Sequence, residues 1–455
     1  MDFTPLFRPE TMAVIGMSLH NEQHPANVIF NKNRLRYPVK VYPVNPSGGI
    51  YQGETVYNNI REVPDAVDLA VIAVRADLVP AVVRDCISSG VRAATVISGG
   101  FAEIGKKPLQ DEVVRIASEA NFPFLGPNCL GVYHPSYADT FFLPPERMVR
   151  PEPGNVAVVS QSGGILVDQL IKFSDEGIGL SVGVSIGNKA MIRETHLMEY
   201  LAKDDETDVI AFYVEGFNRD EGRVFAQAAR ACPKPVIVMK SGKSAEGSRA
   251  VSSHTASLAG DYNVFSSILE QYGVVEAKNE FEFVAFCESL GCYKRNIKGR
   301  VGIVTVSGGH GAMAVDACLA QGQEVPHFGE TLQQKMRQKV SKSIQPIASF
   351  GNPVDLTGSA VDEDFVQVVR ELSQSSEIDT ILILLLPYIP GMSSDLCARL
   401  SQIYINLKKP IVAYIPHVEK YRMFIEGFEL NNIPVSHSIE GAVFMVEAMR
   451  RYRSC

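Results

Sequence analysis

Short apolar runs alternate with longer amphipathic segments along the first third of the chain. The runs are Met12 to Ile15, Val39 to Val44, Leu69 to Val74 and Ala94 to Ile97. Strands that are buried on both faces of a parallel sheet read as continuous apolar runs, because neither face meets water. The segments between them, such as Val79 to Ser89, have the pattern of helices. The chain therefore predicts an α/β fold with a doubly wound parallel sheet, whose ligand-binding loops follow the strands.

The alternation resumes after a proline-rich connector, Pro144 to Pro153. An apolar strand, Val156 to Val159, leads through Ser160-Gln161-Ser162-Gly163-Gly164 into a helical segment, Ile165 to Phe173. The free amides and the dipole at such a helix start favour an anion. The sequence thus predicts an anion-binding turn at the start of a second α/β domain.

An internal repeat organises the rest of the chain. Val156 to Gly164, VAVVSQSGG, returns as Val301 to Gly309, VGIVTVSGG, and Lys234-Pro235-Val236 returns as Lys409-Pro410-Ile411. A sequence repeat of this kind indicates a repeated structural unit. His310, which follows the second SGG, is assigned to a helix start. We therefore predict three domains, residues 1–148, 149–297 and 298–455, of which the last is a second copy of the middle one.

The most polar segment of the middle domain runs from Lys240 to Gly260, KSGKSAEGSRAVSSHTASLAG. It follows an apolar strand, and we interpret it as a long loop at the strand's carboxyl end, where open α/β sheets place their chemistry. His254 stands in it among serines, threonine and glycines. Glu215 follows another strand, Val209 to Val214, at the same rim, where a carboxylate can orient an imidazole. A solvated loop that contains a histidine by chance is the alternative, because one histidine is weak evidence of catalysis.

Charge and composition limit the kinds of partner that the chain is expected to bind. The 455 residues carry a formal net charge of −8, which argues against nucleic acid or an anionic membrane as the main partner. The first residues, MDFTPLFRPE, lack a basic region followed by an apolar core, so secretion is not expected. The longest apolar run, Ile378 to Pro387, is too short to span a bilayer. Eight cysteines without a CxxC pair indicate reduced thiols, a cytoplasmic location and no metal site.

A Rossmann-like first domain raises the question of whether it binds NAD. The first strand is followed by one glycine, Gly16, instead of GxGxxG, and the second strand ends in Asn45-Pro46, with no acidic residue for a ribose. We therefore reject NAD and favour another nucleotide, whose pyrophosphate the amides of Gly16 and Ser18 can meet. A purely structural turn is the alternative for this loop. The segment Gly126 to Gly131, GPNCLG, taken alone also indicates a turn with a buried cysteine.

Taken together, these motifs resemble the NDP-forming acyl-CoA synthetases, the family of succinyl-CoA synthetase, over essentially the whole chain. The most specific motifs are VYPVNP (Val41 to Pro46), GPNCLG, GNVAVVSQSGG and SHTASLAG (Ser253 to Gly260). Asn352 to Leu356, NPVDL, is similar to the third domain of the ADP-forming acetate–CoA ligase branch. The resemblance implies a Rossmann-like CoA-binding domain and two flavodoxin-like domains, which form the α part of the enzyme.

The resemblance also implies the chemistry. A carboxylate, CoA and ATP give acyl-CoA, ADP and phosphate by way of an acyl phosphate and a phosphohistidine at His254, which Glu215 holds. The implied phosphate-binding residues are Ser162, Gly163, Gly164, Gly187 and Asn188. The implied CoA contacts are Gly16, Ser18, Asn45, Pro46, Val74, Arg75, Ser98, Gly99, Gly100, Asn128 and Cys129.

Departures from the family pattern matter for substrate and partner. Arg75 stands where the family commonly has proline, so a cation lies where CoA passes, and it either pairs with a phosphate or is merely exposed. Val167 stands where succinyl-CoA synthetase has a substrate-side tyrosine, which argues against succinate and leaves another small carboxylic acid. No ATP-grasp domain is found, so ATP, ADP and Mg are expected only at a partner, an ATP-grasp β subunit in a heterotetramer. The alternative is a catalytically inert relative that binds CoA or acyl-CoA for regulation, which would not need both His254 and Glu215.

Overall fold

The computed structural model describes residues 2–218, 220–254 and 261–453, and for residues 252–254 it describes the backbone alone. The chain divides into two units, Met1–Glu276 and Ala277–Ser454. Parallel sheets covered by helices occur in both units, which confirms the predicted α/β fold. The predicted domain boundaries after residues 148 and 297 stay a prediction.

The first unit begins with a five-stranded parallel sheet in the order β2-β1-β5-β6-β7. Its strands and the separate hairpin β3–β4 are β1 Thr11–Ile15, β2 Lys40–Val44, β3 Gly49–Tyr51, β4 Glu54–Val56, β5 Leu69–Ile72, β6 Ala93–Val96 and β7 Phe124–Leu125. The helices are α1 Thr4–Phe7, α2 Pro25–Arg36, α3 Val79–Ser88 and α4 Lys107–Glu119. Every side chain of β5 is buried, which explains why the strand reads as an unbroken apolar run.

The second sheet of this unit has seven strands in the order β14-β13-β12-β10-β11-β8-β9. The strands are β8 Gly131–His134, β9 Ala138–Asp139, β10 Pro153–Ser160, β11 Leu180–Ser185, β12 Val209–Val214, β13 Val236–Lys240 and β14 Val275–Ala277. The helices are α5 Gly163–Asp175, α6 Glu194–Leu201, α7 Glu221–Ala231, α8 Ala245–His254 and α9 Tyr262–Gln271. Because β8 follows the first sheet directly and pairs antiparallel with β11, the segment between β7 and β8 passes from one sheet to the other.

The second unit contains a five-stranded parallel sheet in the order β16-β15-β17-β18-β19. The strands are β15 Val301–Thr305, β16 Val354–Asp355, β17 Thr380–Leu384, β18 Ile411–Tyr414 and β19 Val435–Ser436. The helices are α10 Glu280–Cys292, α11 Gly308–Ala320, α12 Glu330–Lys339, α13 Asp362–Gln374, α14 Leu396–Leu407, α15 Arg422–Glu429 and α16 Ile439–Arg451. The parallel strands β10 to β14 follow the same order, second, first, third, fourth and fifth, which is the flavodoxin-like order that the internal repeat predicts.

The interpretation of residues 240–260 as one long loop is wrong for its central part. Ala245–His254 forms helix α8, and the Ser244 hydroxyl accepts a hydrogen bond from the Gly247 amide at 3.0 Å at its start. Alanine, glutamate and arginine favour a helix, and their propensity outweighs the cost of one glycine and the serines. Residues 255–260, the rest of the predicted loop, lie outside the described residues.

A buried cluster of ion pairs holds α2 against β9, and thereby the first sheet against the second. The Asp139 carboxylate, fully buried, lies 2.8 Å from Lys32 Nζ and 2.6 Å from Arg150 Nε. Burial lowers the pKa of Lys32 to about 8, although the charge of Asp139 opposes the shift. Since each buried charge has a partner, the cluster fixes the position in which the two sheets meet. Within the described ranges, no helix is both long and apolar enough to cross a membrane.

Candidate active site

A cavity of about 370 Å³ opens in the first unit, where the segment between β7 and β8 faces the start of helix α5. Its lining residues are Ile97, Asn128, Cys129, Leu130, Phe142, Leu143, Gln161, Ser162, Gly163, Gly164, Val167, Ser185, Gly187 and Asn188. The fold therefore brings the predicted phosphate-binding residues together with Asn128 and Cys129 of the predicted CoA group. The roles of these residues stay predictions.

The start of helix α5 forms one wall of the cavity. Ser162 is the N-cap, and its hydroxyl accepts a hydrogen bond from the Ile165 amide at 3.4 Å. A side chain at Gly163 would meet Leu130 at about 3.0 Å, whereas the space beside Gly164 is open. Gly163 and Gly164 both line the cavity, so the first turn of α5 is exposed to it, as an anion site requires.

Gly187 forms the opposite wall and has to be a glycine. Its φ is +55°, and a Cβ at this position would lie 2.4 Å or less from the carbonyl oxygens of Pro127 and Asn128. Any larger residue would push the segment between β7 and β8 away from α5. The close approach also allows the Asn188 amide to donate to Pro127 O at 2.9 Å.

Amide side chains connect the cavity with the edge of the first sheet. Asn128 donates through Nδ2 to Asn188 Oδ1 at 3.3 Å, and its backbone amide donates to Ser98 O at 2.9 Å. Asn188 donates in turn to Glu103 Oε2 at 2.6 Å. Burial opposes the charge of Glu103, but hydrogen bonds from Asn188 and from the Gly100 and Phe101 amides outweigh it and lower the pKa of this carboxyl group.

The other predicted CoA contacts lie at the carboxyl edge of the first sheet and do not line the cavity. Gly16 donates to Val44 O at 3.0 Å, and its φ of +105° lets the first loop pass close to Ala73. The Ser18 amide donates to Asn27 Oδ1 at 2.8 Å. The remaining residues at this edge are Asn45, Pro46, Val74, Arg75, Ser98, Gly99 and Gly100. Because the carboxyl ends of parallel strands share one edge, these loops form a single rim.

Two of the predicted CoA residues, Arg75 and Cys129, have distinct surroundings. Arg75 is well exposed and pairs with Asp77 at 2.8 Å, so its guanidinium can meet a solvent-exposed anion. Cys129 is buried and donates to Val96 O at 3.4 Å. Burial raises the pKa of the Cys129 thiol to about 12, so this side chain contributes a small, uncharged surface to the cavity and not a nucleophile.

Glu215 is buried at the carboxyl end of β12, and neighbouring strands hold its backbone from both sides. Gln161, which follows β10, accepts through Oε1 from the Glu215 amide at 2.7 Å and from the Gly216 amide at 3.1 Å. Lys240, the last residue of β13, donates through Nζ to Glu215 O and to Ser241 O, both at 2.8 Å. Burial lowers the pKa of Lys240, although the charge of Glu215 opposes the shift.

A second set of polar groups fixes the turn after Glu215. The buried Lys189 donates to Gly216 O at 2.8 Å and to Glu194 Oε1 at 2.9 Å. Gln161 donates through Nε2 to Gly216 O at 2.9 Å and also to Glu194. The Glu215 turn is therefore tied to β10, β13 and the segment before α6, and its position is determined by residues far apart in sequence.

The sequence did not predict four of these residues, Gln161, Lys240, Lys189 and Glu194, as part of the site. The sequence did contain a signal that Lys240 has a specific role, because a cation that ends an apolar strand needs a polar partner. Gln161 stands inside the motif that we singled out, but its partners lie in other strands. His254, the predicted nucleophile, is the last residue of α8, and its side chain lies outside the described part of the chain.

Two further histidines, His196 and His310, take part in local hydrogen bonds. His196 accepts through Nδ1 from the Arg193 amide at 3.3 Å at the start of α6, and its pKa is lowered mainly by burial. His310 lies 3.0 Å from Ser307 Oγ at the start of α11, which confirms the predicted helix start.

Comparisons with known proteins agree with this architecture. Residues 10–135 match the model of a CoA binding domain, and residues 153–290 match that of a succinyl-CoA ligase like flavodoxin domain. The chain is 33% identical to subunit alpha of acetate–CoA ligase [ADP-forming] I from Pyrococcus furiosus, over 99% of this chain and 98% of that one. A solved structure, the Ca. Korarchaeum cryptofilum dinucleotide forming acetyl-coenzyme A synthetase 1 in complex with phosphate and ADP, superposes with a TM-score of 0.87 at 30% identity, covering 99% of this chain and 97% of that one.

These matches define a CoA-binding protein with a succinyl-CoA ligase-like second domain. More narrowly, the chain belongs to the family of ADP-forming acyl-CoA synthetases, ligases that form a carbon–sulfur bond, and is similar to their α subunits. The resemblance seen in the sequence is thereby confirmed. Acetate–CoA ligase [ADP-forming] I from Archaeoglobus fulgidus is 40% identical over 84% of this chain, but the chain spans about half the length of that relative, 54%.

Proposed function

We propose that this chain is the α subunit of an ADP-forming acyl-CoA synthetase, which interconverts carboxylate, CoA and ATP with acyl-CoA, ADP and phosphate. The observation that carries the proposal is the cavity, in which an open helix start faces the segment between β7 and β8 and lies in the same unit as the buried Glu215. Its wall at the start of α5 suits the reaction, because the space beside Gly164 is open.

Each step of the proposed reaction exchanges one bond. In the direction from acyl-CoA, a phosphate oxygen attacks the thioester carbonyl, the C–S bond breaks, and the sulfur leaves and takes a proton. An imidazole nitrogen of His254 then attacks the phosphorus of the acyl phosphate, and the carboxylate leaves. A terminal oxygen of ADP finally takes the phosphoryl group from His254 and forms ATP. Covalent capture splits one difficult transfer into two easier ones.

The chain's own groups suit these steps. The free amides of Gly163 and Gly164 at the start of α5 stabilise the negative oxygens of the phosphoryl group. Glu215 accepts a hydrogen bond from the second imidazole nitrogen of His254, which selects the tautomer and favours the charge that develops. Gln161 and Lys240 keep the Glu215 backbone in place. The neutral Cys129 takes no covalent part.

The nucleotide and Mg are proposed to bind to a separate ATP-grasp β subunit, in a heterotetramer. The naming of the Pyrococcus furiosus relatives as alpha subunits supports a partner for this chain. A histidine that carries a phosphoryl group between two sites explains why acyl and nucleotide chemistry can lie on different chains.

The purified chain alone is expected to form no acyl-CoA from ATP, Mg, CoA and a small carboxylic acid. Activity should appear when an ATP-grasp β subunit of the same family is added, because the phosphoryl donor binds there. Product formation is followed by chromatography of acyl-CoA, with the partner alone as the control. ATP-dependent synthesis by the homogeneous single chain would contradict the proposal.

Calorimetric titration of the isolated chain is expected to show CoA binding and no NAD binding. The single glycine after β1 and the Asn45-Pro46 end of β2 offer neither the fingerprint turn nor the ribose acid of an NAD site. NAD serves as the matched control ligand, since it also carries an adenosine and a pyrophosphate. Heat from NAD without heat from CoA would contradict the assignment of the first sheet.

A further inference from the structure

A chain of side-chain hydrogen bonds runs from the edge of the first sheet to the cavity beside α5. Glu103 accepts through Oε1 from the amides of Gly100 and Phe101, the second at 3.1 Å. Its other oxygen, Oε2, accepts from Asn188 Nδ2 at 2.6 Å. Asn188 Oδ1 in turn accepts from Asn128 Nδ2 at 3.3 Å. The chain of bonds therefore ends on Asn128, a residue that lines the cavity.

The carboxylate at the start of this chain of bonds sets its direction. Although burial opposes the charge, hydrogen bonds from Asn188 and from two backbone amides hold the pKa of Glu103 below its usual value, so the group is ionised and only accepts. Asn188 therefore has to turn its NH2 group toward Glu103 and its carbonyl oxygen toward Asn128. Asn128, which faces that oxygen, has to present its own NH2 group. One carboxylate thus orients two amide side chains.

The two asparagines differ in the donors that they have left. Asn188 Nδ2 also donates to Gln110 Oε1 at 3.0 Å, and its backbone amide donates to Pro127 O at 2.9 Å. Every N–H of Asn188 thus has an acceptor in the chain, which suits a positioning residue better than the phosphate contact that the family resemblance implies. Asn128 donates through its backbone amide to Ser98 O at 2.9 Å, but of its two side-chain N–H groups the described residues accept only one.

The backbone of Asn128 is adapted to this place. Its φ is +59°, in the left-handed region that asparagine and aspartate adopt more readily than most other residues. A Cβ on Gly99 would lie 3.2 Å from Asn128 Oδ1, so the glycine lets the predicted CoA loop pass close to the amide. Asn128 therefore stands where the predicted CoA contacts meet the cavity.

Resting on the proposed function, we propose that Asn128 is a catalytic residue, whose remaining N–H donates to the carbonyl oxygen of the thioester, and that Glu103 and Asn188 position it. The thioester carbonyl joins CoA to the acyl group, so it has to lie where the CoA contacts meet the cavity. When a phosphate oxygen attacks the carbonyl carbon, an electron pair moves to the carbonyl oxygen, and the N–H stabilises the negative charge. The pair returns as the C–S bond breaks, and Asn128 neither gains nor loses a proton.

The test separates the thioester step from the histidine step by the source of the phosphoryl group. In the complex with an ATP-grasp partner, the chain is labelled either from acetyl-CoA and phosphate, which requires the thioester step, or from ATP and Mg, which does not. Asn128→Asp should slow labelling from acetyl-CoA by about 100- to 1,000-fold, the value of one oxyanion donor. Labelling from ATP should be unchanged, because aspartate tolerates the same φ and lacks only the N–H.

Glu103→Gln tests the positioning with a change of almost equal shape. The new carbonyl oxygen stays on the Gly100 and Phe101 amides, so the new NH2 group meets that of Asn188 and both asparagines have to turn over. Labelling from acetyl-CoA should fall by about 10-fold or more, the value of one hydrogen bond. Adding Asn188→Asp should restore most of the rate, because a carboxylate at position 188 accepts from the new amide and from Asn128 at once.

Glu112→Gln is the matched control, since Glu112 lies in α4, pairs with Arg84 at 2.8 Å and does not line the cavity. It should leave both labelling rates unchanged. Full labelling of Asn128→Asp from acetyl-CoA, or an equal loss from both sources, would overturn the inference, since a merely structural role predicts the equal loss. A double variant as slow as Glu103→Gln would overturn the positioning role of Glu103 and Asn188. Labelling of the wild type from neither source, with CoA binding preserved, would instead contradict the proposed function.

Discussion

His254→Asn is expected to abolish phosphorylation of this chain and to lower turnover with the partner subunit by more than about 10⁴-fold, as removal of a nucleophile does. Asparagine keeps a polar side chain of similar size at the end of α8, but it has no nitrogen that can attack phosphorus. Folding and CoA binding should be unchanged, because the CoA rim lies on the first sheet. Acid-labile, base-stable labelling is measured by intact mass after incubation with acyl-CoA, phosphate and the partner.

Three further variants define what this result means. The variants His196→Asn and His310→Asn should be phosphorylated at His254 as the wild type is, since both substituted histidines only form local hydrogen bonds at helix starts. Glu215→Gln should be labelled slowly, because it removes the orienting charge and not the nucleophile. Undiminished labelling of His254→Asn would indicate that His310 or His196 is the nucleophile and would contradict the proposed mechanism.

Lys240→Met is expected to slow phosphorylation of the chain by about 10- to 100-fold, the value of a hydrogen bond from a charged group. Methionine retains the length of the side chain but releases the carbonyl oxygen of Glu215, which Lys240 holds at 2.8 Å. Lys240→Arg should recover much of the rate, because a guanidinium can donate to the same carbonyl. The labelling rate is measured by rapid quench at fixed pH.

The pH profile of phosphorylation separates a charge effect from a packing effect. Burial lowers the pKa of Lys240 below its usual 10.5, so the ammonium is present at low pH and is lost as pH rises through the lowered value. The alkaline limb of the rate should therefore begin below 10.5 in the wild type and move to higher pH in Lys240→Arg, which stays charged.

Lys234→Arg is the matched control for this profile. Lys234 stands just before the same strand and also donates to backbone carbonyls, of Leu201 and Asp204, but at the opposite edge of the sheet. Its substitution should leave the alkaline limb in place. An identical limb in the wild type and in Lys240→Arg would show that the charge of Lys240 does not act on Glu215.

The local pattern of apolar and polar residues was sufficient to predict the strands and part of the candidate site. Strands such as β5 and β12 could be predicted because each is buried on both faces, which leaves an uninterrupted apolar run in the sequence. The turn at Ser162 to Gly164 was also visible, since a hydroxyl and two glycines after a strand suit an N-cap and an open helix start. Helix α8 was not predicted, because a serine-rich segment resembles a loop in sequence and only its contacts in the folded chain favour a helix.

Residues that act through distant partners were not accessible from the sequence. Gln161 reaches the Glu215 turn only because β10 and β12 are neighbours in the sheet, and Lys240 reaches it because β13 lies on the other side. Phe142 and Leu143 stand beside a proline-rich connector and carry no sign that they line a cavity. Their place depends on β8 and β9, which leave the first sheet and join the second.

The sequence by itself determined the α/β class, the repeat, the family and the residue types of the reaction, because burial of single strands and the chemistry of short turns are local properties. The tertiary structure decided which of these turns meet. The order of strands places residues that are tens of positions apart at one edge, and the cavity beside the start of α5 exists only after the two sheets have packed.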